Sequence, residues 1–342
     1  MNSQRFYQKF LDQLRQGPVV LATVIEVKGS VPRKVGAKML IWNDWATYET
    51  IGGGAGEAKV IWQAREVKET GQAQAVTIDL TGSAQHPAEG VCGGSMRVWL
   101  ARWQGTAAIE TVEAILAGLA SGRGMQLTTP IAPAADQPIQ LNLLEPHSYR
   151  GSRLTRTSAG AASLELLIEE IIPAPVLLIV GAGHVGMALA QVAQMIGFQT
   201  AVADERSDFA SAERFPMASW IFNQPIETAL TALAQTQPTG HLYVALVTRG
   251  YLHDLTALRA LFTPAAPHCA YIGMIGSQKR IQQVFSKLKA EGIPAVVLAT
   301  LYTPIGLQVG AQSPEEIAVS IGAELIQVRR QQAKKPLKAE TF

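Results

Sequence analysis

The sequence predicts an α/β chain in two parts: a doubly wound parallel sheet in the C-terminal half, and a mixed α+β domain before it. Three observations predict this. The stretch from Val176 to Asp204 reads as strand, glycine turn, helix, strand, acid. Segments of strand and helix pattern go on alternating after it, as parallel sheets require. Between Pro130 and Pro175 the composition shifts to Pro, Ala, Gln, Ser and Thr, which marks a junction. The expected layout is an N-terminal domain over 1–128, a linker and connecting helix over 129–173, a C-terminal domain over 174–330 and a basic tail over 331–342.

The totals allow two domains. The chain has 342 residues, 48% hydrophobic and 16% charged, so a large core is possible and disorder is not expected. A formal net charge of +2 gives no field that would favour nucleic acid or a membrane surface. No apolar run reaches the roughly 18 residues of a membrane span. The first residues, MNSQRFYQKFLDQLRQG, lack the apolar core of a signal peptide. Two cysteines, Cys92 and Cys269, cannot make a disulfide framework. The expectation is a cytoplasmic protein.

Residues 2–16 carry Phe6, Phe10, Leu11 and Leu14 at helical spacing and stop at Gly17-Pro18. Val19 to Val27 is a β-rich run. The basic loop Lys28 to Gly36 follows, and then a short strand, Lys38 to Trp42. Gly52-Gly53-Gly54 with Glu57 opens a helix through Val60, Ile61, Ala64 and Val67. Two readings stand for this loop: an anion cradle at a helix start, or a flexible turn. Gln74 to Leu80 and the segment around Val98-Trp99-Leu100 read as strands.

Between those two strands lies Cys92-Gly93-Gly94. Backbone amides on a glycine turn would stabilise a thiolate and make Cys92 reactive. A small buried side chain is the other reading. Gly105 to Gly124 contains a helix with Ile109, Val112, Ile115, Leu116 and Leu119 on one side. Leu164 to Ile172 alternates apolar and acidic residues and is expected to be the connecting helix.

The central stretch carries the strongest signal. Val176 to Val180 ends in Gly181-Ala182-Gly183-His184-Val185-Gly186, and a helix pattern follows with Val185, Leu189, Val192 and Ile196 on one face. Gly181 permits the tight turn, Gly183 lets a backbone approach a phosphate, and Gly186 lets the helix pack close. The helix N-terminus would hold a pyrophosphate. Asp204 ends the next strand, where a ribose-binding acid is expected. This is a Rossmann-like pattern. Arg206 is either a phosphate contact or a surface arginine.

Beyond it, a helix covers Glu227 to Ala234, and a strand, Leu242 to Val247, runs into Thr248, Arg249, His253 and Asp254. Ligands collect at such strand ends. Gly273 to Arg280 is a third glycine turn, and its Gly276, Ser277 and Lys279 suit an anion. Ser313-Pro314-Glu315-Glu316 is a helix start with a capping serine and glutamate.

Taken together these motifs resemble the xanthine dehydrogenase accessory protein family, of the XdhC and CoxI type. The resemblance rests on Gly29-Ser30-Val31-Pro32-Arg33, Gly36 to Leu40, Gly52-Gly53-Gly54 with Glu57 and Cys92-Gly93-Gly94 in the first half. In the second half it rests on Gly181 to Gly186, Asp204, Glu213 to Pro216, Thr248-Arg249, Tyr271 to Ser277, Pro304 to Leu307 and Ser313 to Ala318. It implies a chaperone that binds the molybdenum cofactor, a molybdopterin with or without an attached nucleotide. The chaperone would assist sulfuration and insertion into a xanthine dehydrogenase-like molybdenum hydroxylase. It also implies that hydroxylase and a cysteine desulfurase as partners, and a homodimer.

On this reading the residues named for the cofactor are Gly52, Gly53, Gly54, Glu57, Gly181, Gly183, His184, Gly186, Asp204, Thr248, Arg249, Gly276, Ser277 and Lys279. Cys92 would be a soft thiolate contact to molybdenum or a sulfur carrier. The alternative is an NAD(P)-dependent oxidoreductase built on the glycine turn, with His184 or His253 as proton donor. One departure stands out: the family often has histidine after Thr-Arg-Gly, where this chain has Tyr251.

Overall fold

Helix α1, Ser3–Leu14, buries Phe6, Phe10, Leu11 and Leu14 as its spacing predicts, and Tyr7 with them. The computed structural model describes residues 3–43, 46–81, 93–131, 139–144, 150–159, 162–236 and 242–332. Cys92 and the tail beyond 332 lie outside the described residues. The chain divides into two compact units, Met1–Pro173 and Ala174–Phe342.

In the first unit, β1 (Val19–Lys28), β2 (Lys38–Ile41), β3 (Thr47–Tyr48), β4 (Gln74–Asp79) and β5 (Ser95–Trp103) form an antiparallel sheet in the order β3-β2-β1-β5-β4. Between β3 and β4 runs α2 (Gly54–Thr70), and α3 (Gly105–Ala120) follows β5. Side chains of β1 alternate between two cores, as a pleated strand dictates. Val19 and Leu21 meet α1 and α3, while Val20, Ala22 and Val24 meet Val60, Ala64 and Val67 of α2.

The stretch expected to be a linker and connecting helix is instead a second sheet. It comprises β6 (Met125–Pro130), β7 (Gln140–Leu143), β8 (Arg153–Ala159) and β9 (Ala162–Ile171), antiparallel in the order β7-β6-β9-β8. The apolar residues of β9 fit a helical stripe, with its acids left for solvent. The fold turns those acids inward because distant cations meet them. Glu169 pairs with Lys38 of β2, both nearly fully buried. Glu165 accepts from Arg97 at 2.8 Å and Arg156 at 3.0 Å. Glu170 accepts from Arg153 at 2.9 Å and from the N–H groups of Arg150 and Gly151. No local periodicity reports such partners.

Among the described residues, the second unit holds five parallel strands. They are β10 (Val176–Val180), β11 (Gln199–Ala203), β12 (Trp220–Phe222), β13 (Leu242–Leu246) and β14 (Cys269–Met274), in the order β12-β11-β10-β13-β14. Its helices are α4 (His184–Met195), α5 (Ile226–Thr236), α6 (Tyr251–Leu261), α7 (Gln278–Ala290), α8 (Ala295–Leu298) and α9 (Pro314–Gln332). One core holds α4 and α9 against one face of the sheet, and the other holds α5, α6 and α7 against the opposite face. This is the doubly wound Rossmann arrangement, with the order reversing at β10.

Two details differ from the sequence reading. Besides Leu189, the fully buried positions of α4 are Gly186, Ala190 and Ala193, while Val185, Val192 and Ile196 of the expected face pack partly buried against the same core. Small residues face the sheet, and Val192 meets Gly322 of α9 instead, 2.5 Å from where a Cβ would stand. The last helix also reaches Gln332, into the stretch expected to be the basic tail. Its start follows the capping reading: Ser313 Oγ accepts the Glu316 N–H at 3.2 Å, and the Glu316 carboxylate accepts the Ser313 N–H at 3.0 Å.

Candidate functional site

The turn from β10 into α4 is closed by two of its glycines. Gly181 has φ +115°, and a Cβ there would stand 2.6 Å from the Val247 carbonyl oxygen. A Cβ on Gly186 would stand 2.1 Å from the Gly181 carbonyl oxygen. Gly183 differs, because a Cβ there meets nothing within 4 Å. It caps α4 with no side-chain hydrogen bond, and His184, the first helical residue, is exposed. The positive end of a twelve-residue helix therefore faces open space at Gly183.

Asp204 is not open in the same way. Its Oδ2 accepts the Ala182 N–H at 2.9 Å and an Arg206 guanidinium N–H at 2.8 Å. Its Oδ1 accepts the Arg206 backbone N–H at 3.1 Å and Arg206 Nε at 2.9 Å. Burial alone would raise this carboxyl, but the hydrogen bonds from Arg206 and from the Ala182 and Arg206 amides outweigh it and bring its pKa down to about 2. The Arg206 guanidinium lies 3.7 Å from the centre of the Phe209 ring.

Gly181, Asp204, Arg206, Thr248, Arg249 and His253 line one pocket at the carboxyl ends of β10, β11 and β13. Gly181, Asp204, Thr248 and Arg249 are thus brought together as sequence reasoning expected of a strand-end site. Behind the pocket, Thr248 Oγ1 donates to Asp254 Oδ1 at 2.6 Å, and Arg280 donates to Asp254 Oδ2 at 2.6 Å and to Thr248 Oγ1 at 2.9 Å. Burial of Asp254 raises its pKa, against the hydrogen bonds from Thr248 and Arg280. Arg280 is therefore a brace between α7 and the end of β13. Arg249 Nε donates to His253 Nε2 at 2.8 Å, which leaves that histidine's other nitrogen as its donor.

Gly276, Ser277 and Lys279 do not line this pocket. Ser277 caps α7 by accepting the Arg280 N–H at 3.3 Å, and Lys279 is exposed in the first turn. Tyr251, at the family's histidine position, begins α6 and packs against the α5–α7 core. Among the described residues, no group of three or more His, Cys, Asp or Glu side chains is placed to hold a metal ion.

In the first unit the Gly52–Gly54 loop has left-handed φ values of +149°, +80° and +67°. Its amides already have an anion. Glu57 Oε2 accepts the N–H of Ile51 and of Gly53, each at 3.1 Å, and the Thr50 hydroxyl as well. The Gly52 N–H goes to Thr50 Oγ1 at 3.0 Å. Glu57, expected to contact a cofactor, holds its own loop. Two other glycine segments pack nearby: a Cβ on Gly52 would meet Pro32 at 2.7 Å, and a Cβ on Gly29 would meet the Gly93 carbonyl oxygen at 2.8 Å. Gly93 and Gly94 are fixed by paired hydrogen bonds with Leu80, at 2.9 and 2.8 Å. Cys269, the cysteine within the described residues, is pushed up to about 12 by burial and is no thiolate near neutral pH.

Sequence reasoning passed over Asp254 and Arg280 as a pair, and over the Asp204–Arg206 fork. Arg206 two residues after the acid was visible, but its direction was not.

Fold and site together define a Rossmann domain with an uncapped glycine turn, preceded by an α+β unit. Comparison with known proteins narrows this class. The model described as XdhC Rossmann domain matches residues 177–325, and that described as XdhC and CoxI family matches residues 13–79. The chain belongs to the XdhC family.

A relative in Bacillus subtilis strain 168, named as a probable subunit of xanthine dehydrogenase, is 27% identical over 339 residues, covering 93% of this chain and 95% of that protein. The Escherichia coli K12 protein named uncharacterized protein YqeB is 24% identical over 91% of this chain, which spans only 44% of its length. A crystal structure from Bacillus halodurans, described as a xanthine dehydrogenase, superposes with a TM-score of 0.78 over 98% of both chains at 24% identity. At that identity it speaks for the fold. Among the described residues, no helix is long and apolar enough to cross a membrane.

Proposed function

We propose that this chain is a maturation factor for a xanthine dehydrogenase-like molybdenum hydroxylase, binding the molybdenum cofactor and assisting its sulfuration and insertion. Family membership over both units supports the role. The observation that carries the binding reading is the α4 N-terminus, uncapped and open at Gly183. A pterin phosphate, with or without a nucleotide, fits there: the amides of Gly183 and His184 would hold it, and Arg249 at the neighbouring strand end would add a positive charge. When bound, the cofactor's molybdenum would be the site at which an oxo ligand is exchanged for a sulfido ligand, with sulfur from a separate donor. Cys92, which directly precedes Gly93 in sequence, is the proposed thiolate contact. A cysteine desulfurase as sulfur donor, and a homodimer, belong to the same proposal.

The test is binding of molybdenum cofactor to the full chain, read as pterin fluorescence and molybdenum content, for the wild type, Cys92→Ser and Gly183→Ala. Retention by the wild type, weakened in both variants, supports the reading. Wild-type protein that takes up no pterin when offered it overturns the reading. The oxidoreductase alternative would need substrate-dependent reduction of a nicotinamide by the same preparation.

A further inference from the structure

We propose that Arg206 occupies, on the carboxylate of Asp204, the place that a ribose diol takes in dinucleotide-binding glycine-turn folds. The Asp204–Arg206 pair then closes this Rossmann domain to NAD(H).

In such folds the acid at the end of the second strand accepts a hydrogen bond from the ribose 2′-hydroxyl. Asp204 stands at that place, directly after β11. An ionised carboxylate has about four lone-pair sites. All four are taken: by the Ala182 amide, by the Arg206 amide, and by the guanidinium at Nε and at one terminal nitrogen. The guanidinium presents two parallel donors to two oxygens, which is the pattern a vicinal diol would present.

Arg206 is held from other sides as well. Its side chain stacks on Phe209, and its carbonyl accepts the N–H groups of Phe209 and Ala210, each at 3.0 Å. A ribose would have to displace a charge-assisted pair with neutral hydroxyls, which is an unfavourable exchange. The 2′-phosphate of NADP fares no better, because the Asp204 charge lies directly beside the Arg206 guanidinium, two of whose five N–H donors it already holds. What the glycine turn retains is the open helix end at Gly183, which suits a phosphate read without its ribose. Asp204 then acts as a positioning residue that ties the glycine turn to the end of β11. This inference concerns ribose recognition alone and stands whether or not the chain carries a molybdenum cofactor.

The test is calorimetric titration of the full-length chain with NAD+, NADP+ and ADP-ribose, for the wild type, Arg206→Ala, Arg206→Gln and Asp204→Asn. The wild type is expected to show no saturable binding at millimolar ligand. Arg206→Ala and Arg206→Gln free the carboxylate and gain NAD+ and ADP-ribose affinity, by about tenfold or more for each hydrogen bond recovered to the charged acceptor. Adding Asp204→Asn to Arg206→Gln removes the gain. Micromolar NAD+ binding by the wild type would overturn the proposal. So would a folded Arg206→Ala or Arg206→Gln protein that gains nothing. The wild-type titration decides by itself should both arginine variants fail to fold.

Discussion

The Tyr271 hydroxyl donates to Glu324 Oε2 at 2.5 Å, and the same oxygen accepts the Gly306 N–H at 3.0 Å. One buried carboxylate on α9 thereby joins the edge strand β14 to the loop that carries Thr303 to Leu307. Burial, and then the Glu324 carboxylate, push the tyrosine pKa far up, so the phenol stays a donor. Tyr271→Phe removes a hydrogen bond to a charged group and is expected to cost about 1.5–3 kcal/mol in urea denaturation. A loss within experimental error would show that water replaces the hydroxyl.

The Lys38–Glu169 pair makes a sharper case, since both side chains are nearly fully buried. Lys38→Met strands a carboxylate and should cost about 3–5 kcal/mol, whereas Lys38→Met with Glu169→Leu should recover most of that loss. The readout is the urea midpoint of the three variants. A double variant no better than the single would mean that the pair specifies how β2 meets β9.

Acid titration of stability follows from Asp204. Its pKa in the folded chain, about 2, lies below the ordinary carboxylate value of about 3.9. Its contribution is complete above the unfolded value and fades as pH falls from there toward about 2. Asp204→Asn should therefore lower Tm at neutral pH and flatten the fall in Tm across that acid range. An unchanged acid profile in the variant would assign the stability to other carboxylates.

The glycines of the turn after β10 separate fold from function. Gly181→Ala places a Cβ against the Val247 carbonyl at a left-handed φ, and Gly186→Ala places one against the Gly181 carbonyl. Each should cost about 1–3 kcal/mol or more. Gly183→Ala has free space and should leave Tm unchanged while weakening anion binding. Equal destabilisation by all three would remove Gly183 from the binding role.

The Rossmann half was legible because its signals are local. The glycine spacing, the strand-length apolar runs and the Ser313 cap each depend on residues within one turn of one another. The β6–β9 sheet was not, because β9 owes its inward acids to Lys38, Arg97 and Arg153, and two of these lie more than sixty residues away in sequence. The site divides along the same line. Thr248 and Arg249 follow from their place at a strand end. The fork between Asp204 and Arg206 depends on a rotamer, and no pattern of letters reports it. Glu57 was visible as an acid beside glycines, but its direction, back into its own loop, belongs to three dimensions.

Glu57 bears on what its loop could hold. The amides of Ile51 and Gly53 are held in place by a carboxylate that is already covalently part of the chain. Any anion brought to these amides would have to displace Glu57 rather than fill a gap, and the loop would not need ordering from scratch. Its net affinity would be the difference between two similar interactions, smaller than either alone.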